Sequence, residues 1–487
     1  MRVPLLGDQR RWVHRAPSFR HRRMKDLGSA VGGPTGPAGS ARRLVGSARS
    51  AAENHPVALP FGVALVVRVV AAVGITALQH GYLFPDESAY VDFGGLAASG
   101  HLTLTTDAGY GEVLFHEAAS FMWPVTVLFK VFGPHVIVAA LWAGLFGAVT
   151  AALVSVFVGQ ALSHGWATLA GLVVAVFPSQ VLWSSVVLRE SMVWASLAAA
   201  ALGVAGLARA RRWPGLVAWI VLVGTSLLAL GYLREWAFLA AAWSVAIAVW
   251  LFRPARPVVV RSSCFALCVL IPILPGLGLA GSTYVSHEGG NLGLERTTLS
   301  ANAKSAFVHP KVIKPPTTKP ATTKPATTPA TTVATVPTAL SDEDLVVPKG
   351  IKNDLRALPT GLVAFALRPF PWQHGDGLSY DLAAVEELLY YPLYLLAVVG
   401  LVAYRRRREI IAFPIVVVGL ISGIAAEAEG NLGSAFRHRD QLFWAVAFFA
   451  TLGANYLWGL WRRPKTSEEE LLPVPGEAQL LTVQAGR

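Results

Sequence analysis

Long apolar windows alternate with short polar interruptions along most of the chain. Several windows run for about 20 residues with almost no charge, the length a helix needs to cross the hydrocarbon core. Backbone groups in lipid must satisfy one another, so such windows read as helices. About ten spans are expected, at 56–78, 134–158, 165–187, 191–207, 214–232, 236–252, 262–280, 383–404, 410–425 and 442–460. Seven fall within 57–280 and three within 379–461. Between the first and second spans, residues 79–133 are only semi-apolar and hold charges. They read as a large external loop folded into helices along the membrane surface. Residues 281–378 form the second large loop. Its 314–338 tract alternates Thr and Pro, a composition that stays extended and builds no core. Residues 355–372 are apolar but contain Arg356, Arg368 and several prolines, and read as a surface helix leading back to the bilayer.

Composition supports this class. Of 487 residues, 54% are apolar and 14% charged, where a soluble domain carries about 25% charge. The net charge of +12 raises the question of nucleic acid, but the placement of the charges answers it. Arg209 to Arg212, Arg253 to Arg256, Arg405 to Arg408 and Arg462-Arg463 each abut the end of an apolar window. That is the positive-inside pattern, and it places all these ends on the cytoplasmic face of a plasma membrane. The first 56 residues carry ten Arg and one Lys against three acids and have no apolar periodicity. They read as a disordered basic tail, like the polar segment 462–487, so both termini are expected in the cytoplasm. Cys264 and Cys268 lie one helical turn apart within a span and read as packing residues.

Sorting charges by side exposes a second pattern. The opposite face carries mixed acids and bases at helix ends: Asp86, Glu87, Arg189, Glu190, Arg234, Glu235, Glu427, Glu429, Arg437 and Arg439. Anchoring in lipid does not require such pairs. Carboxylates can take a proton from a hydroxyl, and guanidinium groups match phosphate oxygens bidentately. Together they suit a lipid-linked phosphate and a sugar or polyol. Arg68 stands alone in the first span, and an intramembrane Arg demands a polar partner or a bundle-facing position.

Three motifs in this order resemble the GT-C superfamily of membrane glycosyltransferases, which includes the protein O-mannosyltransferases and the lipid A aminoarabinose transferases. They are Pro85-Asp86-Glu87-Ser88-Ala89-Tyr90 after the first span, Phe177-Pro178-Ser179-Gln180 followed by Leu188-Arg189-Glu190, and Gly430-Asn431-Leu432-Gly433-Ser434 with Arg437-His438-Arg439 before the last span. The resemblance covers roughly residues 57 to 460. It implies a GT-C-like helical bundle with external juxtamembrane helices and an active site on the external side. It also implies inverting transfer of a sugar from a polyprenyl phosphate or diphosphate to a cell-envelope glycan, lipid or protein. Asp86, or Glu87 as second choice, becomes the base. Arg189, Arg234, Arg437 and Arg439 become donor-phosphate ligands. Tyr90, His116, Glu117, Glu190, Glu235, Glu427, Glu429, Asn431 and His438 complete the candidate cavity. No organic cofactor is expected, and the superfamily includes members with and without a divalent metal. The Arg189-Glu190 pair departs from the acid pattern of the mannosyltransferases, so donor and acceptor stay open. A polysaccharide polymerase or ligase would share the spans, the external loop and the Arg residues. A lipid-linked-glycan transporter should instead show internal repeats and interrupted central helices.

Overall fold

The computed structural model describes residues 55–78, 82–101, 114–115, 118–276, 351–372, 378–428 and 432–462. The side chains of 85, 269–276, 351–357, 360, 378–382, 427–428 and 432–434 are excepted. The basic tail, the Thr-Pro tract and the C-terminal tail lie outside this set. Every element among the described residues is helical: α1 (Ala58–Leu78), α2 (Pro85–Ala98), α3 (Ala119–Phe132), α4 (Val136–Gly159), α5 (His164–Val176), α6 (Pro178–Ser184), α7 (Glu190–Arg209), α8 (Trp213–Gly231), α9 (Glu235–Leu251), α10 (Pro257–Gly276), α11 (Ile351–Leu367), α12 (Leu378–Tyr404), α13 (Arg408–Ala428), α14 (Leu432–Arg439), a 3-10 turn at Asp440–Leu442, and α15 (Phe443–Trp461).

Seven helices among the described residues are long and apolar enough to cross a membrane, or eight if the bent pair α5 and α6 is one span. These coincide with eight of the expected spans, and the chain is a multi-pass membrane protein, helical throughout its described elements. The sixth and seventh expected spans are also helices, α9 and α10, whose apolar described parts are shorter. The large first loop contributes α2 and α3, and α11 occupies the expected return segment.

Burial sorts the helices by depth. In α7, 83% of the apolar window is enclosed by the protein, against 17% in α1. Its small residues, Ala198, Ala201, Gly203, Ala205 and Gly206 among them, are buried and let α4 and α8 approach it closely. The tightest crossing joins α12 to α15. A Cβ on Gly400 would strike the Phe449 carbonyl, and one on Gly453 would strike the Leu396 carbonyl. Only hydrogen at both positions permits this backbone-to-backbone approach.

The third expected span, 165–187, is not continuous. It bends by 59° between α5 and α6. Pro178 imposes the break, because a residue preceding proline is pushed out of the helical region, and Phe177 sits at φ −64° and ψ 128°. Arg68 from the middle of α1 fills the break. Its guanidinium donates to the Val174, Ala175 and Gln180 carbonyls and to Ser184 Oγ. Gly147 of α4 leaves the space that group occupies. The polar partners that an intramembrane Arg requires are thus mainly the carbonyls freed by the broken helix.

Candidate functional site

The two ends of the bundle differ in chemistry. At one end, Arg209 donates to Gln160 Oε1 (2.6 Å), Arg256 to the Arg211 carbonyl (3.4 Å), and Arg407 pairs with Glu409 (2.8 Å). Apart from Glu409 and Gln160, these are the basic helix ends of the positive-inside pattern. α7 has 20 residues and separates that end from its own first turn by about 30 Å. Around this first turn the mixed charges converge.

Glu190 is the hub, with its side chain only 2% exposed. Its Oε1 lies 2.6 Å from Arg234 Nη2 and 3.3 Å from Arg437 Nε, and its Oε2 accepts from Gln441 Nε2 at 3.1 Å. Arg437 reaches outward from there: its Nη1 donates to Asp86 Oδ2 at 2.8 Å. The Asp86 side chain is half exposed. Arg189, next to Glu190, lies within electrostatic reach of Tyr90, Arg234 and His438. The His438 ring meets Trp236 edge-on at 5.1 Å, and Arg234 lies over the same indole at 5.5 Å. Tyr90 is buried against Phe121. Burial raises its hydroxyl above the usual range, with Arg189 and Arg234 pulling it down and Glu190 and Asp86 pushing it up. Tyr90 therefore stays a neutral O–H donor. One further donor is notable. Arg234 Nη1 is buried and has no hydrogen-bond acceptor among the described residues.

The structure thus gathers Asp86, Tyr90, Arg189, Glu190, Arg234, Arg437 and His438 into one cluster drawn from α2, α7, α9 and α14. Glu87 does something different from its neighbour. Its Oε1 accepts the Leu83 and Phe84 amides at 3.0 and 2.9 Å, and its Oε2 accepts the Val187 amide at 3.0 Å. This carboxylate caps α2 and ties it to the loop before α7. Glu235 sits half-buried in the first turn of α9. His116, Glu117, Glu429 and Asn431 lie outside the described residues, and of Glu427 only the backbone at the end of α13 is described.

Arg439 is not part of this cluster. Residues two apart on a helix point to nearly opposite sides, so α14 sends Arg437 one way and Arg439 the other. Arg439 pairs with Glu387, donates to the Ala366 and Arg368 carbonyls at 3.3 and 3.0 Å, and lies 4.7 Å from both the Tyr390 and Phe436 ring centroids. Beside it, Asp440 accepts from Ser179 Oγ at 2.8 Å and from the Tyr390 hydroxyl, while Glu386 accepts the Ser179 amide at 2.9 Å. These carboxylates cap the start of α6 on the far side of the break that Arg68 fills. Glu386, Glu387 and Asp440 are not among the charges that the helix-end pattern singles out. Their signal was present: two adjacent acids in an otherwise apolar span are expensive unless they have partners.

No group of three or more His, Cys, Asp or Glu able to hold a metal ion occurs among the described residues. Compared with protein-family models, curated proteins and solved structures, the chain matches none of them.

Proposed function

We propose that the protein is a membrane glycosyltransferase that moves a sugar from a polyprenyl phosphate or diphosphate to a cell-envelope acceptor at the external face. Arg189, Arg234 and Arg437 hold the donor phosphate, Asp86 is the base, and Glu190 orients the arginines. Arg439 is left as an anchor of the hairpin that carries Arg437, and Glu87 as the cap that fixes the backbone of Asp86.

The observation that carries this reading is Arg234 Nη1, a buried guanidinium N–H without an acceptor among the described residues, next to Arg437. An unmade buried hydrogen bond to a charged group is costly, and an anionic ligand oxygen would relieve it. Asp86 adds an acid on the exposed side of the same cluster, where a hydroxyl acceptor could meet it.

One observation favours a transporter, namely the interrupted helix α5–α6. Its freed backbone groups are already taken, however. Arg68 holds the carbonyls and Glu386 the Ser179 amide, so the break offers little to a substrate.

The test is binding and turnover of a polyprenyl-phosphate sugar by purified protein in lipid nanodiscs. Arg234→Gln together with Glu190→Gln removes both charges of the buried pair, avoiding a lone buried ion. That double variant should bind the lipid phosphate roughly 10- to 100-fold more weakly, the scale of a lost charge-assisted hydrogen bond. Unchanged binding would sink the assignment. The linkage at the reducing end of the product separates a transferase from a polymerase.

A further inference from the structure

We propose that Asp86 sits on Arg437 as a stand-in for the donor phosphate, and that arrival of the phosphate is what releases this carboxylate to serve the acceptor. This rests on the glycosyltransferase reading above and adds an order of events to it.

The two carboxylates that meet Arg437 are not equivalent. Glu190 is 2% exposed and is also held by Arg234 and Gln441. Asp86 is 50% exposed and bonds Arg437 through Oδ2. Glu190 is therefore the fixed seat of the guanidinium, and Asp86 is the exchangeable ligand on its open side. A phosphate oxygen and a carboxylate oxygen make the same kind of short charge-assisted bond to a guanidinium. The phosphate brings more acceptors, and Arg234 Nη1 in the same cluster is a buried donor without an acceptor among the described residues. An exposed ion pair is weak, because water screens it, so its displacement costs little.

The exchange needs no movement of the loop. Glu87, the next residue, fixes the α2 start through the Leu83, Phe84 and Val187 amides. Rotation of the Asp86 side chain alone breaks its contact with Arg437. Before the exchange, Arg437 neutralises the base. Afterwards the carboxylate is free beside the bound donor. The acceptor oxygen then attacks the anomeric carbon, its proton passes to Asp86, and the carbon–oxygen bond to the phosphate breaks. The electron pair leaves on the lipid phosphate, where Arg437 and Arg234 stabilise it. Donor binds first, and acceptor chemistry becomes competent only then.

The experiment measures binding to purified protein in zwitterionic nanodiscs with three probes: a polyprenyl monophosphate, inorganic phosphate and an anionic phospholipid. Removing the competing carboxylate should tighten polyprenyl monophosphate binding. Asp86→Asn and Asp86→Ala should each bind it about two- to fivefold more tightly than the unsubstituted protein, the fold-change expected for an exposed pair. Asp92→Asn, which removes an exposed acid from the same helix, should leave binding unchanged. Equal or weaker binding by both Asp86 variants, while the unsubstituted protein still binds, overturns the exchange and spares the glycosyltransferase reading. An equal gain in Asp92→Asn also overturns it, because bulk charge would then explain the effect. A gain confined to inorganic phosphate or to the phospholipid overturns the polyprenyl phosphate as the displacing anion. Failure of the unsubstituted protein to bind any of the probes overturns both proposals.

Discussion

At the scale of single residues, Asp86 and Glu87 are neighbours with opposite environments, and substitution should separate them. Asp86→Asn keeps the shape of a half-exposed side chain and removes the proposed base. It should cut turnover by roughly 10²–10⁴-fold with little change in detergent melting temperature. Glu87→Gln replaces an oxygen that accepts backbone amides with an N–H₂ group. It should destabilise the fold by about 1–3 kcal/mol, read as a lower melting temperature. A stable but inactive Glu87→Gln beside an active Asp86→Asn would transfer the role of base to Glu87. Arg68 makes a second case. Arg68→Met should cost about 1–3 kcal/mol for each carbonyl left without a donor. Arg68→Lys should recover only part, since a compact ammonium cannot span the fork of acceptors that a guanidinium reaches. Full stability in Arg68→Met would show that the carbonyls find other donors. The need for a partner to Arg68 could be read from the sequence, but the partner could not. Carbonyl acceptors leave no mark in an amino-acid sequence.

At the scale of elements, the apolar windows located the spans because hydrophobic length is the constraint a bilayer imposes. The same measure is blind to a break inside a window. Phe177 and Pro178 are visible as residues, yet 165–187 carries no charge and reads as one span. The α14 segment shows a similar limit. Arg437, His438 and Arg439 read as one basic cluster until helical geometry sends the first and third to opposite sides. The α12–α15 crossing yields a prediction at this scale. Gly453→Ala or Gly400→Ala would force two backbones apart, and overpacking of this kind costs about 1–3 kcal/mol. Because α15 continues from the hairpin holding Arg437 and Arg439, these variants should also lose lipid-phosphate binding. A Gly453→Ala protein with unaltered melting temperature would mean the helices can separate freely.

At the scale of the whole molecule, the proposed orientation can be checked by labelling. In a background with Cys264 and Cys268 replaced by Ala, single cysteines at Gly39, Arg211 and Arg407 should react only from the cytoplasm. One at Thr328 should react from outside in intact cells. Protection of Thr328 with reaction at Arg407 would invert the topology and move the charged cluster to the other face. The basic ends could be grouped from the sequence because each lies next to its own span. The charged cluster could be listed but not assembled, because its members come from distant helices. Asp86 and Arg437 are 351 positions apart, and that distance has a consequence for biogenesis. Membrane proteins are built from the N-terminus forward, so α2 is made before every later helix and waits for its partner. Asp86, Glu190 and Arg234 are all synthesised before the residue that joins them. A chain halted before α14 would carry most of its spans and the proposed base, but not Arg437. On the reading proposed above, lipid-linked substrate would therefore meet an unfinished site until the short helix α14 is in place, and the order of synthesis itself would time its assembly.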